Sequence, residues 1–167
     1  MREADRSGGQ LCAGGSAAAA RSSGSWATDS AARASMVANR SRDTGPEMAI
    51  RRRLHAAGLR YRVDFPPLAA ERRRRADIVF TRLRIAIFID GCFWHGCPAH
   101  FSAPRANADY WGPKIARNIE RDGETNAALI RAGWRVMRFW EHQPATEVAA
   151  EIIAAVRLAS SATSSAD

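Results

Sequence analysis

The sequence predicts an α/β protein with a mixed central sheet flanked by helices, and three observations carry that expectation. Residues Arg84–Asp90 hold an apolar run almost without break (Ile85, Ala86, Ile87, Phe88, Ile89), the mark of a strand buried on both faces. Two shorter strand-like runs precede it, Tyr61–Phe65 and Ala76–Phe80, the second joined to it by a tight turn at Thr81–Leu83. After it, a helical stretch from about Ala108 to Ala132 separates it from another run, Trp134–Trp140. A crossover of that length lets the last strand join the sheet in parallel.

The first helix opens at Gly45-Pro46-Glu47, with proline at an N-terminal position and an acid in the first turn, and Gly58 is its natural stop. Met48, Ile50, Leu54 and Ala57 form its apolar stripe. Pro66-Pro67 and the run Arg72–Arg75 read as an exposed loop. In the long helix Ile115, Ile119, Leu129 and Ile130 are the core candidates, with Gly133 as cap. Thr146–Leu158 is a last amphipathic helix carrying Val148, Ile152, Ile153 and Val156 at helical spacing. Residues 1–25 and 159–167 are rich in Gly, Ala and Ser, too poor in large apolar residues to offset ordering entropy, and are expected to be disordered tails around a folded domain over 26–158.

The 167 residues suit one domain with its own core. No apolar run reaches membrane-spanning length and no signal-peptide core is present, so a cytoplasmic protein is expected. The net charge of +8 favours a polyanionic partner, since Lys and Arg displace the counterions condensed on phosphates. Charge alone does not choose between DNA, RNA and an acidic membrane surface. Three cysteines without an export signal argue for metal binding or free thiols over a disulfide framework.

Cys12 lies in the N-terminal tail, but Cys92 and Cys97 stand in the segment Gly91-Cys92-Phe93-Trp94-His95-Gly96-Cys97-Pro98-Ala99-His100, and His142 follows the last strand. Zinc prefers four thiolate or imidazole ligands in a tetrahedron. Cys92, Cys97, His100 and His142 would make a closed, structural site stapling one strand's end to another's. His95 is then left over for chemistry. Among the carboxylates, Asp77 begins a buried strand, where an unpaired charge is costly and a hard cation such as magnesium gives it a reason. A buried Asp–Arg pair is the rival explanation. Asp90 ends the neighbouring strand and can reach the same place. Glu47 either joins them or serves the helix dipole.

Taken in order, Asn39-Arg40-Ser41-Arg42-Asp43-Thr44, Glu47, Ala76-Asp77-Ile78-Val79-Phe80, Gly91-Cys92-Phe93-Trp94-His95, Trp111 with Lys114-Ile115, Asn118 to Asp122, and Gly133-Trp134-Arg135-Val136 to Trp140-Glu141 form a series that resembles the very short patch repair endonucleases. The match runs from about Trp26 to Leu158. The resemblance implies a restriction-endonuclease-like core of the PD-(D/E)XK type and a nick on the 5′ side of the mispaired thymine of a T·G mismatch in double-stranded DNA. It implies Asp77 and the carbonyl of Ile89 as magnesium ligands, His95 as general base or water-positioning group, and Glu47 as its hydrogen-bonding partner. Phe93 and Trp94 would wedge into the duplex with help from Trp111, and Met36 would enter from the opposite groove. Cys92, Cys97 and His142 fall at family zinc positions, with His100 replacing a cysteine that usually lies two residues nearer. One departure concerns Asp90, where the best-known members carry histidine.

That chemistry suits the residue types. Hydrolysis of a phosphodiester needs an activated water and charge neutralisation, which magnesium at Asp77 supplies, and an imidazole such as His95 can take a proton near neutral pH. Wedging rings between base pairs is easiest at a mispair. Arg72–Arg75, Lys114, Arg117, Asn118 and Arg121 are the DNA-contact candidates. The expected protein is a monomer, with repair proteins as further partners. Two alternatives stand beside it: a nickase of the same fold without mismatch preference, and a non-catalytic zinc module that binds nucleic acid.

Overall fold

Helix α1 (Gly45–Ala56) starts where it does because Thr44 and Glu47 cap it reciprocally. The Thr44 hydroxyl faces Glu47 Oε1 at 2.9 Å, and Glu47 Oε2 accepts the Asp43 backbone N–H at 3.0 Å. Its Ile50 and Leu54 are fully buried, whereas Ala57, expected in the apolar stripe, is exposed as the C-cap residue before Gly58, whose φ of +79° ends the helix. The computed structural model describes residues 42–102 and 108–164. Cys12, Met36 and the tail expected over residues 1–25 lie outside them.

Strands β1 (Arg62–Phe65), β2 (Ala76–Phe80) and β3 (Ile85–Asp90) follow, then helix α2 (Ala108–Arg131), strand β4 (Arg135–Trp140) and helix α3 (Ala145–Ser164). The helix α3 runs six residues past Leu158, into the segment read from composition as a tail, because its alanines and serines continue a helix already docked on the core. The four strands form one mixed sheet in the order β1-β2-β3-β4, antiparallel except for the parallel β3–β4 pair that the helical crossover allows. No helix among the described residues is long and apolar enough to cross a membrane.

Strand alternation divides the core in two. Ile78, Phe80, Ile85, Ile87, Met137 and Phe139 meet α1 and α3 on one face, while Val79, Ala86, Phe88 and Val136 face α2 through Leu129. Strand β3, buried almost throughout, lies under both layers. The inward stripe of α2 is Trp111, Ile115, Asn118, Asp122, Thr125 and Leu129, spaced four and three residues apart. Ile119 and Ile130, expected in the core, are instead 49% and 62% exposed, because each lies one residue past an inward position of the stripe, Asn118 and Leu129, and so is turned about 100° away from it.

Candidate active site and metal centre

Asp77 at the start of β2 and Asp90 at the end of β3 lie at the same end of the sheet, as antiparallel pairing requires. Beyond the last rung, Ile78↔Ile87, Asp77 Oδ2 accepts the Ile89 backbone N–H at 2.7 Å. Burial pushes the Asp77 carboxyl up to about 7; the Ile89 hydrogen bond and Arg138 oppose this, while the charges of Glu47 and Asp90 add to it. Burial raises Asp90 as well, against the pull of Arg138. A buried carboxyl at Asp77 with acidic neighbours on two sides and only partial compensation from Arg138 is a setting suited to a hard cation.

His95 is carried by the loop after β3, which curls back through His95 N–H to Gly91 O at 3.2 Å and Cys97 N–H to Cys92 O at 2.9 Å. Its Nδ1 meets Asp122 Oδ2 of α2 at 2.5 Å and lies 3.8 Å from Asp90 Oδ1. Burial disfavours the imidazolium, but Asp122 and Asp90 together outweigh it and hold the His95 pKa above the usual histidine value. Burial likewise works against the Asp122 carboxylate, which His95 and Arg138 nonetheless hold below the ordinary range. Arg138 of β4 donates from Nη2 to Asp122 Oδ1 at 3.1 Å. Its Nε stands 3.1 Å from Asp90 Oδ2, an ion-pair contact off the hydrogen-bond line.

The expected pairing of His95 with Glu47 is therefore corrected. Glu47 is 4% exposed and committed to the α1 cap, and Asp122 takes its place behind the imidazole. Asp122 and Arg138 are the site residues that sequence reasoning missed. Asp77, Asp90, His95, Asp122 and Arg138 line a common cleft of about 1390 Å³, with Glu47 also on its wall.

Beside the cleft stands a cluster of rings. Phe93 and Trp94 meet edge to face at 5.1 Å, and each lies 5.6 Å from Trp111. Trp111 is buried and forms the cluster's floor, while Phe93 and Trp94 are half-buried above it. Among the described residues, neither ring joins the two aliphatic core clusters. Lys114 Nζ is 5.3 Å from the Trp111 ring and 5.6 Å from that of Trp94. Asn118 donates to Trp94 O at 3.1 Å and so fastens the loop to α2. Arg117 and Arg121 are exposed. The arginine run splits: Arg72 and Arg73 are exposed, Arg74 binds Thr125 and Glu124 at 2.7 and 3.0 Å and pairs with Glu71, and Arg75 binds Asp64 at 2.6 Å.

The parallel β3–β4 pair brings the second cluster together. Asp90 pairs with Trp140, so Cys92 and His142 leave the sheet side by side. The turn after β4 is closed both ways between Trp140 and Gln143, at 2.7 and 3.0 Å, and presents His142. Cys92 Sγ lies 3.1 Å from His142 Nδ1, and Cys97 Sγ lies 3.8 Å from both His142 Nδ1 and His100 Nδ1. All four donors fall within 4.8 Å of one another. A tetrahedral zinc with bonds of about 2.0–2.3 Å sets its ligand atoms roughly 3.3–3.8 Å apart, so the donor set fits that ion.

A family model described as DNA mismatch endonuclease Vsr matches residues 26–100. The chain is 48% identical over 119 residues, 71% of its length and 72% of the relative's, to type II nicking enzyme V.NaeI of Lentzea aerocolonigenes. The chain belongs to the Vsr family of DNA mismatch endonucleases. It is also 42% identical over 103 residues (61% of this chain, 73% of the relative) to type II nicking enzyme V.XorIIP of Xanthomonas oryzae pv. oryzae. DNA mismatch endonuclease Vsr of Escherichia coli is 36% identical over 107 residues, covering 64% of this chain and 66% of the relative. Within this Vsr-family endonuclease, the block matched by the family model holds Glu47, Asp77, Asp90 and His95, while Asp122 and Arg138 lie beyond it.

Proposed function

We propose that this Vsr-family endonuclease nicks one strand of double-stranded DNA on the 5′ side of the thymine of a T·G mispair, the step that opens very short patch repair. The observation that carries the reading is the convergence of Asp77, Asp90 and His95 at one end of the sheet, beside the half-exposed rings of Phe93 and Trp94. The acid at the start of β2 and the order hairpin, crossover helix, parallel strand support a restriction-endonuclease-like core.

The residues divide the work. Asp77 and the Ile89 carbonyl would hold magnesium, which when bound neutralises charge on the scissile phosphate and polarises the attacking water. Asp122 accepts the Nδ1 proton of His95 and so leaves Nε2 free to take a proton from that water. Phe93 and Trp94 enter the stack, and Trp111 supports them from below. A mispair costs less to open than a matched pair, which gives selectivity from few base contacts. Lys114, Arg121, Arg72 and Arg73 line the cleft and would meet phosphates there, with the exposed Arg117 a further candidate on α2. Cys92, Cys97, His100 and His142 would hold zinc as a staple of the loop that carries His95.

Nicking assays on matched and T·G duplexes, each with and without magnesium, test the reading. The expected result is magnesium-dependent nicking of the thymine strand of the T·G duplex alone, abolished by Asp77→Ala. Equal cutting of matched DNA would establish the nickase without mismatch preference, a reading that the type II nicking enzymes among the relatives favour. Binding without cutting in any arm would leave a nucleic-acid-binding zinc module.

A further inference from the structure

The reaction just proposed gives no task to Arg138, yet this residue sits at the centre of the site. It is held on β4 directly opposite Phe88 of β3, with its guanidinium carbon 4.6 Å from the centre of that ring. One edge faces Asp90 at 3.1 Å and one nitrogen donates to Asp122 at 3.1 Å. By donor type, Asp90, His95 and Asp122 are close enough together to suit a cation of their own. Arg138 argues against that use. A guanidinium stays charged at any working pH, and its planar fork is built to face two carboxylates at once. A metal ion among these three side chains would lie within a few ångströms of a fixed positive charge.

We propose that Arg138 is a positioning residue of the nicking reaction: it neutralises Asp90, which is a counter-ion and not a second magnesium ligand, and it orients Asp122 behind His95. The inference rests on the functional reading above. It makes Phe88, Arg138, Asp122 and His95 a relay of position, in which strand register fixes the ring, the ring fixes the guanidinium, and the guanidinium fixes the carboxylate that sets the imidazole.

The test uses the full zinc-loaded chain. Arg138→Met is expected to lower kcat on the T·G duplex about 100-fold while KM for DNA stays within about threefold, the pattern of a lost orienting contact. Arg138→Lys recovers part of that loss, because one ammonium cannot face both acids. Asp90→Asn placed in the Arg138→Met background regains about tenfold, because the uncompensated carboxylate is gone. Magnesium alone, titrated into the DNA-free chain by calorimetry, binds Asp90→Asn with a dissociation constant within about threefold of wild type, whereas Asp77→Asn weakens it more than about tenfold. Two results overturn the proposal: tenfold weaker magnesium binding by Asp90→Asn, which makes Asp90 a ligand, or an Arg138→Met kcat within threefold of wild type. If Arg138→Met fails to fold, Arg138→Lys and Asp90→Asn carry the test. A wild type that nicks no duplex sinks the functional reading instead. The ion pair is then judged by the Arg138 Nε–H resonance, which shifts in Asp90→Asn if the pair forms and stays in place if it does not.

Discussion

His95 leans on Asp122, from the middle of α2, with Nδ1 and Oδ2 2.5 Å apart. With a carboxylate as its acceptor, Nδ1 carries the proton of the neutral ring, and Nε2 is the nitrogen left for chemistry. Asp122→Asn removes the charge but keeps the size, so the wrong tautomer becomes accessible. Single-turnover nicking is expected to slow by about 10–100-fold with the far-ultraviolet circular dichroism unchanged. An unchanged rate would show that His95 needs no orienting acid.

Glu47 behaves differently. Its carboxylate closes the cap of α1, and glutamine can close the same cap. Glu47→Gln should melt within about 0.5 kcal/mol of wild type, and Glu47→Ala should lose about 1–2 kcal/mol in urea unfolding. Equal losses in the two variants would mean that charge, not hydrogen bonding, is what α1 needs from this residue.

Asp77 gives a pH dependence. Its folded-state pKa, about 7, lies above the ordinary carboxylate value of 3.8, so the folded chain binds more protons than the unfolded chain between those limits. Its contribution to stability therefore falls as pH rises from about 4 to about 7 and stays low above that. In magnesium-free buffer at pH 8, Asp77→Asn should raise the melting temperature by on the order of 5 °C, and at pH 4 by almost nothing. Millimolar magnesium should erase the gain at pH 8 by stabilising the wild type alone. A gain of the same size at both pH values would rule out the buried charge as its cause.

Metal content gives a further check. One zinc per chain is expected by elemental analysis, and Cys97→Ala, which removes a fully buried thiol, should abolish it and lower the melting temperature by more than 10 °C, on the order of several kcal/mol. Full zinc content in that variant would take Cys97 out of the ligand set.

Most of the frame was legible because its signals are local. The apolar run of β3, the stop at Gly58 and the crossover before Trp134 each mark an element within its own residues, and the strands came within a residue or so of their observed ends. The Cys/His cluster was legible for a like reason, since three of its donors lie in nine residues. Asp122 and Arg138 were not. Their neighbours in space come from other elements, and the apolar pattern of α2 drew attention to Ile119 and Ile130, which face outward. The clue was the stripe from Trp111 to Leu129, whose polar middle is the part that crosses the acids. Glu47 was readable both ways, as a site acid or as a first-turn acid serving the helix dipole; the structure shows a third use, in which its side chain caps α1 through Asp43 N–H and the Thr44 hydroxyl.

The parallel pairing of β3 with β4 also sets an order of events during folding. Cys92 and His142 are neighbours only after the chain has traversed the whole of α2 and laid β4 beside β3, where Glu141 N–H reaches Asp90 O at 2.9 Å. Such a distant closure is among the slow steps of a small domain. The four-donor nest thus cannot exist in an early intermediate, and its ion would lock a topology already reached instead of nucleating it. Refolding without metal should show the same dominant rate, and the ion should act chiefly by slowing the reverse reaction.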